Sequence, residues 1–317
     1  MRVPDSAALR KKRRTHVDMN TQAISLRAFV TLLLLACTFG ANHVAARLAF
    51  DHGVDVATAV AVRSLATALV VALIVLANRL SLRMTARHWR FMPLIAGLVC
   101  IQSVCLYSAV ARIPVGLALL AFNTYPLWTS LAAFAIYKQR PERAVLVAMP
   151  LLLVGLALAL DVSGAASGAG TLKRWGDIGG GVTYALISAA CVGLVLVLTQ
   201  HEVADLDGRF RTAYTMAIVG VLALAGALAQ GGLHWPDANA GWWGLAGLTL
   251  FYGTAFTVMF TLLPKLGVVG SSPILNVEPV AALVMAWALL GQSIAPVQWL
   301  GALLVVGAVM ALGLRRR

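Results

Sequence analysis

Residues 112–139 read RIPVGLALLAFNTYPLWTSLAAFAIYKQ, and residues 265–292 read KLGVVGSSPILNVEPVAALVMAWALLGQ. Laid over one another at an offset of 153 residues, both begin on a basic residue, Arg112 and Lys265. Both carry an asparagine three positions before a proline, Asn123 with Pro126 and Asn276 with Pro279, and both end on a glutamine, Gln139 and Gln292. The same offset brings Trp89 onto Trp242. Leucine and alanine identities carry little weight in so apolar a chain. The asparagine, proline and glutamine matches at one offset indicate an internal repeat.

Working outward, a bilayer span needs about 20 mostly apolar residues. Ten stretches qualify, at roughly 28–50, 55–77, 91–111, 115–137, 144–161, 179–200, 211–230, 241–263, 268–291 and 297–314. The composition agrees: 60% hydrophobic and 12% charged over 317 residues leaves too few charges to cover a soluble surface. The expected fold is therefore an all-α integral membrane protein of ten transmembrane helices. Residues 1–26 form a basic tail, 27–161 the first repeat of helices 1–5, 162–178 a linker rich in Gly, Ala and Ser, and 179–317 the second repeat of helices 6–10. With five spans per repeat, the second enters the membrane in the opposite sense, as in the inverted repeats of many secondary transporters.

The net charge of +13 would suggest nucleic acid in a soluble protein, but here the charge sits in short clusters between apolar runs. With the N-terminus cytoplasmic, 20 of the 25 Lys and Arg fall on the inside and 3 on the outside, while Arg47 and Arg63 lie within spans. That is a strong positive-inside bias. It places both termini in the cytoplasm of a bacterial-type inner membrane and excludes nucleic acid as a partner. The basic start resembles a signal peptide, but the first apolar run is too long for one and contains Asn42, His43 and Arg47, so it reads as a retained helix.

The chain resembles the drug/metabolite transporter superfamily, EamA type, over nearly its whole length. Phe39-Gly40-Ala41-Asn42-His43-Val44-Ala45 is similar to that family's first-helix signature, with Phe39 where Trp is usual. Arg63 resembles its second-helix arginine, and Asn123–Pro126 and Glu278-Pro279 its proline motifs of helices 4 and 9. Gln139 and Gln292 stand where the family often has Glu. The resemblance implies a ten-helix fold with a central cavity and, often, export of amino acids, metabolites or drugs.

Polar groups in hydrocarbon are costly and usually face the bundle interior. Glu278 is the one carboxylate placed well inside a span, beside Pro279, whose missing N–H loosens the helix ladder. It suits proton coupling or recognition of a cationic group; the alternative is a structural carboxylate bonded to freed backbone groups or to an arginine. Arg63 lies roughly 13 Å into helix 2 at the ~1.5 Å helical rise. It can hold a substrate carboxylate, or pair with Glu278 and merely balance it. Arg47 lies near the outer end of helix 1, one turn from Asp51, and reads as snorkelling to the interface or as a local pair. Asn42 and His43 follow Gly40, where a close helix approach lets an amide and an imidazole bond across helices. Asn123 and Asn276 either line the cavity symmetrically or satisfy backbone carbonyls. Tyr107, Tyr125, Trp128, Tyr184, Tyr214, Tyr252 and Trp287 are aromatics able to stack on a substrate, most of them expected to be packing or interfacial residues. Tyr107, Tyr125, Trp128 and Tyr252 are taken as substrate-binding candidates, with Tyr125 and Trp128 favoured beside Pro126.

The four cysteines lie in apolar runs without a C-x-x-C pair, and the six histidines form no metal-spaced cluster, so neither a metal nor another cofactor is expected. Gly179-Gly180-Gly181 lacks the Gly-Lys-Ser/Thr of a phosphate loop. No G-x-S-x-G, H-E-x-x-H or paired-carboxylate motif occurs, and the chain is not expected to be an enzyme. Energy would come from a gradient, a proton being the candidate coupling ion. The sequence thus predicts a secondary transporter exporting a small metabolite, an amino acid or related compound, by alternating access. Uptake by the same fold is the alternative; a membrane enzyme or a non-transporting scaffold fits less well.

Overall fold

A computed structural model describes residues 26–80, 83–140, 143–161, 171–261, 277–292 and 295–315. Among these residues every regular element is helical. The helices are α1 (Leu26–Phe50), α2 (Val56–Ala77), α3 (Ala86–Arg112), α4 (Val115–Phe122), α5 (Tyr125–Tyr137), α6 (Arg143–Ala159), α7 (Thr171–Glu202), α8 (Gly208–Ala229), α9 (Asn239–Thr261), α10 (Glu278–Leu290) and α11 (Pro296–Arg315). Six segments are long and apolar enough to cross a bilayer, and α10 and α11 add shorter apolar helices. Large apolar side chains point outward, including Leu69 at 63%, Leu289 at 72% and Val147 at 70% exposure. On a soluble protein such a surface would aggregate; it is the surface a membrane protein turns to lipid.

The fourth predicted span is not one helix. It breaks between α4 and α5 at Asn123-Thr124. Pro126 has no N–H with which to continue the ladder, and it sits in the first turn of α5, where none is needed. The Asn123 amide donates to the Leu119 carbonyl at 2.8 Å and the Thr124 hydroxyl to Ala121 O at 2.8 Å, so side chains complete the end of α4. The repeat equivalent of Tyr125 is Glu278, and α10 starts there, again with proline in its first turn. Pro279 therefore opens a helix among the described residues and does not loosen a ladder within one. Gln292, just past α10, accepts a hydrogen bond from the Val115 N–H at 3.1 Å. It caps α4, which follows Pro114 and has no side-chain cap of its own. Helix α7 begins at Thr171, inside the stretch read as linker, where Thr-Leu-Lys-Arg-Trp interrupts the glycines and favours helix.

The most extensive helix interfaces join one half of the chain to the other: α2 with α8, α3 with α7, α1 with α9, α6 with α11, α5 with α7 and α1 with α10. The 153-residue offset exchanges α3·α7 with α9·α1, and α5·α7 with α10·α1. It also holds at atomic detail. A β-carbon on Gly40 would lie 3.0 Å from the Ala282 nitrogen, and one on the equivalent Gly193 2.7 Å from the nitrogen of Thr129, the equivalent of Ala282. Each glycine admits a neighbouring backbone at the same place in its repeat.

The two halves run in opposite senses. At one end of the bundle, the end of α1 meets the segment before α9, with the Asp237 N–H donating to His52 O at 3.1 Å and the His234 N–H to Thr58 Oγ1 at 3.0 Å. At the other, the end of α7 meets the start of α3 through His88 and Asp205, 3.0 Å apart. Helix α2 carries the chain from the first end to the second. Helix α1 thus finishes at one end and its equivalent α7 at the other.

Candidate functional site

Five helices, α1, α2 and α3 from the first half and α9 and α10 from the second, bring polar groups together inside the apolar bundle. Arg63 on α2 is 3% exposed. Its guanidinium carbon lies 4.6 Å from the centroid of the Tyr107 ring on α3 and 3.8 Å from that of Tyr252 on α9. Tyr107 donates its hydroxyl hydrogen bond to Asn42 Oδ1 on α1 at 3.1 Å. His43 packs edge-on against the Tyr107 ring at 5.8 Å, and its Nε2 lies 3.3 Å from Glu278 Oε1 at the start of α10. The α10 N-terminus, positive by its aligned peptide dipoles, favours a carboxylate there.

Arg63 does not pair with Glu278. Glu278 meets His43, and no carboxylate pairs with Arg63 among the described residues. The magnitudes are informative. A desolvated cation–π contact is worth about 2 kcal/mol, whereas burying an unpaired ion costs at least several kcal/mol. Two tyrosine rings make the position tolerable without neutralising it. Four buried polar atoms, Asn42 Nδ2, His43 Nδ1, Arg63 Nε and Ser64 Oγ, have no hydrogen-bond partner among the described residues. Such groups are rare in native interiors, and each costs about 1–3 kcal/mol. Their clustering marks the site.

Of the sequence candidates, Asn42, His43, Arg63, Tyr107, Tyr252 and Glu278 are joined by these contacts. Asn123 bonds a carbonyl of its own helix, the second of the two readings open to it. Tyr125 and Trp128 are half-buried. The Tyr125 ring packs against Phe122 at 5.8 Å, and the Trp128 backbone and Cβ lie against Gly193 at the α5–α7 contact. Asn276 lies outside the described residues. Arg47 pairs with Asp51 as expected, at 2.9 Å, and also donates to Val110 O and Ala111 O, both at 3.0 Å.

A second polar group, unforeseen in the sequence, ties α3, α5 and α7 at the opposite end of the bundle from Arg47. Arg87 Nε donates to Glu202 at 2.7 Å and its terminal nitrogen to the His201 carbonyl. Tyr137 donates to the other Glu202 oxygen and stacks on the His201 ring at 4.0 Å, and Gln139 bonds His201 Nε2 at 2.8 Å. In the loop beyond, the hydrogen bond from His88 holds the Asp205 carboxyl below the usual carboxylate range. The available signal was Glu202, Asp205 and Asp207, three acids within six residues of a chain poor in them.

Comparison with known proteins adds to this. The EamA-like transporter family matches the chain twice, over residues 26–160 and 179–314. A solved crystal structure, titled only as that of a protein, shares the fold with a TM-score of 0.61, covering 90% of this chain and 97% of the other at 17% identity. No curated protein matches the chain.

Proposed function

Because the chain belongs to the EamA-like transporter family, we propose that it is a secondary transporter exporting a small metabolite, an amino acid or related compound, by alternating access. One observation carries the reading: the buried polar cluster is assembled from both repeats, with Tyr252 of the second covering Arg63 of the first and Glu278 of the second meeting His43 of the first. A site shared between inverted repeats changes its exposure when the repeats rock against one another. The proposal includes ten spans, both termini in the cytoplasm and a bacterial-type inner membrane, from the positive-inside count. The substrate-facing residues are Asn42, His43, Arg63, Tyr107, Tyr252 and Glu278. The Glu278–His43 pair is the carrier of a coupling proton, since one proton shared between carboxylate and imidazole can be released when the pair meets water.

The test is efflux from proteoliposomes holding the purified protein and a mixture of metabolites, followed by mass spectrometry. A subset of solutes should leave faster than from empty liposomes, with a rate that follows the pH gradient. In Glu278→Gln that dependence on the gradient should vanish. If no solute moves under any imposed gradient, the transport reading fails; full gradient dependence in Glu278→Gln removes the proton role.

A further inference from the structure

Arg63 is the polar group in the bundle whose surroundings are least complete. Its Nε–H has no acceptor among the described residues, and the side chain is 3% exposed. The chain has twelve acidic residues, and Glu278, the one at the central cluster, is engaged by His43. The stretch 262–276, outside the described residues, contains no Asp or Glu in its sequence. Among the described residues no carboxylate pairs with this arginine.

The neighbouring unpartnered group is also a donor. Asn42 spends its amide oxygen on the Tyr107 hydroxyl, and its Nδ2 has no partner among the described residues. The amide is oriented by that hydrogen bond, as such groups must be. Arg63 Nε and Asn42 Nδ2 are both gathered around Tyr107, one over its ring and the other at its hydroxyl. A permanent cation with two unmet donors calls for an acceptor that carries negative charge. The cation–π contacts use the guanidinium's charge; beside a hydrogen bond to Tyr252, its Nε–H is left without a partner among the described residues.

We propose that the transported molecule carries a carboxylate, received by the N–H edge of Arg63 and by Asn42 Nδ2. This rests on the transport reading of the same cluster. A planar monoanion matches both the geometry and the charge: the guanidinium fork fits two coplanar oxygens, and one negative charge neutralises one arginine. A doubly charged oxyanion leaves an excess negative charge near the Glu278 carboxylate. Tyr252 belongs to the other repeat, so movement between the repeats uncovers the arginine edge, and the ring shields the cation when the site is closed.

The experiment follows thermal unfolding of the full-length protein in detergent with sodium acetate, propionate or benzoate, against equal ionic strengths of sodium chloride and sodium sulfate. A bound anion stabilises the native state. The expected result is a saturable rise in melting temperature with the carboxylates alone. The rise disappears in Arg63→Gln, and in Arg63→Lys it requires a concentration higher by roughly tenfold, the loss of one charge-assisted hydrogen bond. Should Arg63→Gln not fold, Asn42→Ala gives the same information and is expected to weaken the response by roughly tenfold on the same basis. The proposal is overturned if the wild type responds to no carboxylate beyond chloride, if sulfate acts equally, or if the response is unchanged in Arg63→Lys and Asn42→Ala. Solute efflux without a carboxylate response removes the anion site and leaves transport standing; a carboxylate response without efflux does the reverse.

Discussion

Where α9 meets α1, a β-carbon on Gly244 would stand 2.6 Å from the Ala49 nitrogen and 2.8 Å from the Ala45 carbonyl oxygen. The helices touch backbone to backbone. At the repeat-equivalent contact of α3 with α7, Gly244 becomes Phe91, Ala45 becomes Leu198 and Ala49 becomes Glu202. Ala240 becomes Arg87, and Arg87 reaches Glu202 across the interface at 2.7 Å. Gly241 becomes His88 and His52 becomes Asp205, and these two lie 3.0 Å apart. At one end the helices meet through close backbone packing of small residues; at the other they meet through larger apolar side chains, Met92, Ile95 and Leu198 among them, joined by ion pairs across the contact. An inverted repeat makes the two ends topologically alike, and the sequence has then given them different contacts. Separating the α1·α9 contact forfeits dense van der Waals packing. Separating the α3·α7 contact breaks the Arg87–Glu202 and His88–Asp205 pairs, each with one partly exposed partner, and also uncovers the apolar cluster of Met92, Ile95 and Leu198.

The largest expected effect comes from breaking the packed end. Gly244→Leu inserts a side chain where no β-carbon fits, and overpacking of this kind costs typically 1–3 kcal/mol. That shifts the closed–open equilibrium at this end by roughly 5- to 150-fold. Labelling of a cysteine placed at Ala45 by a membrane-impermeant maleimide should rise accordingly, and efflux should fall. Unchanged labelling would show that the glycine contact does not hold this end shut. A smaller effect is expected at the other end. Glu202→Ala removes the acceptor shared by Arg87 and Tyr137 and should raise maleimide labelling of a cysteine at Leu198 severalfold while the protein still folds; an effect as large as that of Gly244→Leu would abolish the contrast between the ends. The smallest involves Asp205. Its pKa is lowered in the folded protein by His88, so its stabilisation is present at neutral pH and is lost as pH falls through the folded value. Acidification below the ordinary carboxylate range should lower the melting temperature slightly more in the wild type than in Asp205→Ala, and equal slopes would remove this contribution.

The parts of this architecture legible in the sequence were those with a large free energy behind them. Ionisable and amide groups in hydrocarbon are costly, so Asn42, His43, Arg63 and Glu278 stood out among apolar neighbours, and four of the six joined residues were found that way. Tyr107 and Tyr252 were candidates among several aromatics of equal standing; only the approach of three helices shows that these two flank Arg63. Tyr125 and Trp128 were favoured for lying beside Pro126; that proline starts α5, where the Tyr125 ring meets Phe122 and Trp128 lies at the α5–α7 contact. The pairing of Arg63 with Glu278 was an open choice because sequence gives no distance between α2 and α10. The break at Asn123-Thr124 was hidden inside a continuous apolar run. The Arg87–Glu202 group was missed for a different reason: charges at helix ends are ordinary, and nothing in their spacing says that three helices meet there.

The most direct test of alternating access between these ends is a pair of distance measurements by pulsed electron resonance on protein in liposomes, with Cys37, Cys100, Cys105 and Cys191 replaced. Spin labels at His52 and Ala240 report the α1·α9 end, and labels at Arg90 and Ala204 the α3·α7 end. In Gly244→Leu the first distance should lengthen while the second stays short, and in Glu202→Ala the second should lengthen while the first stays short. Two distances that never change, or that lengthen together in either variant, would contradict the account.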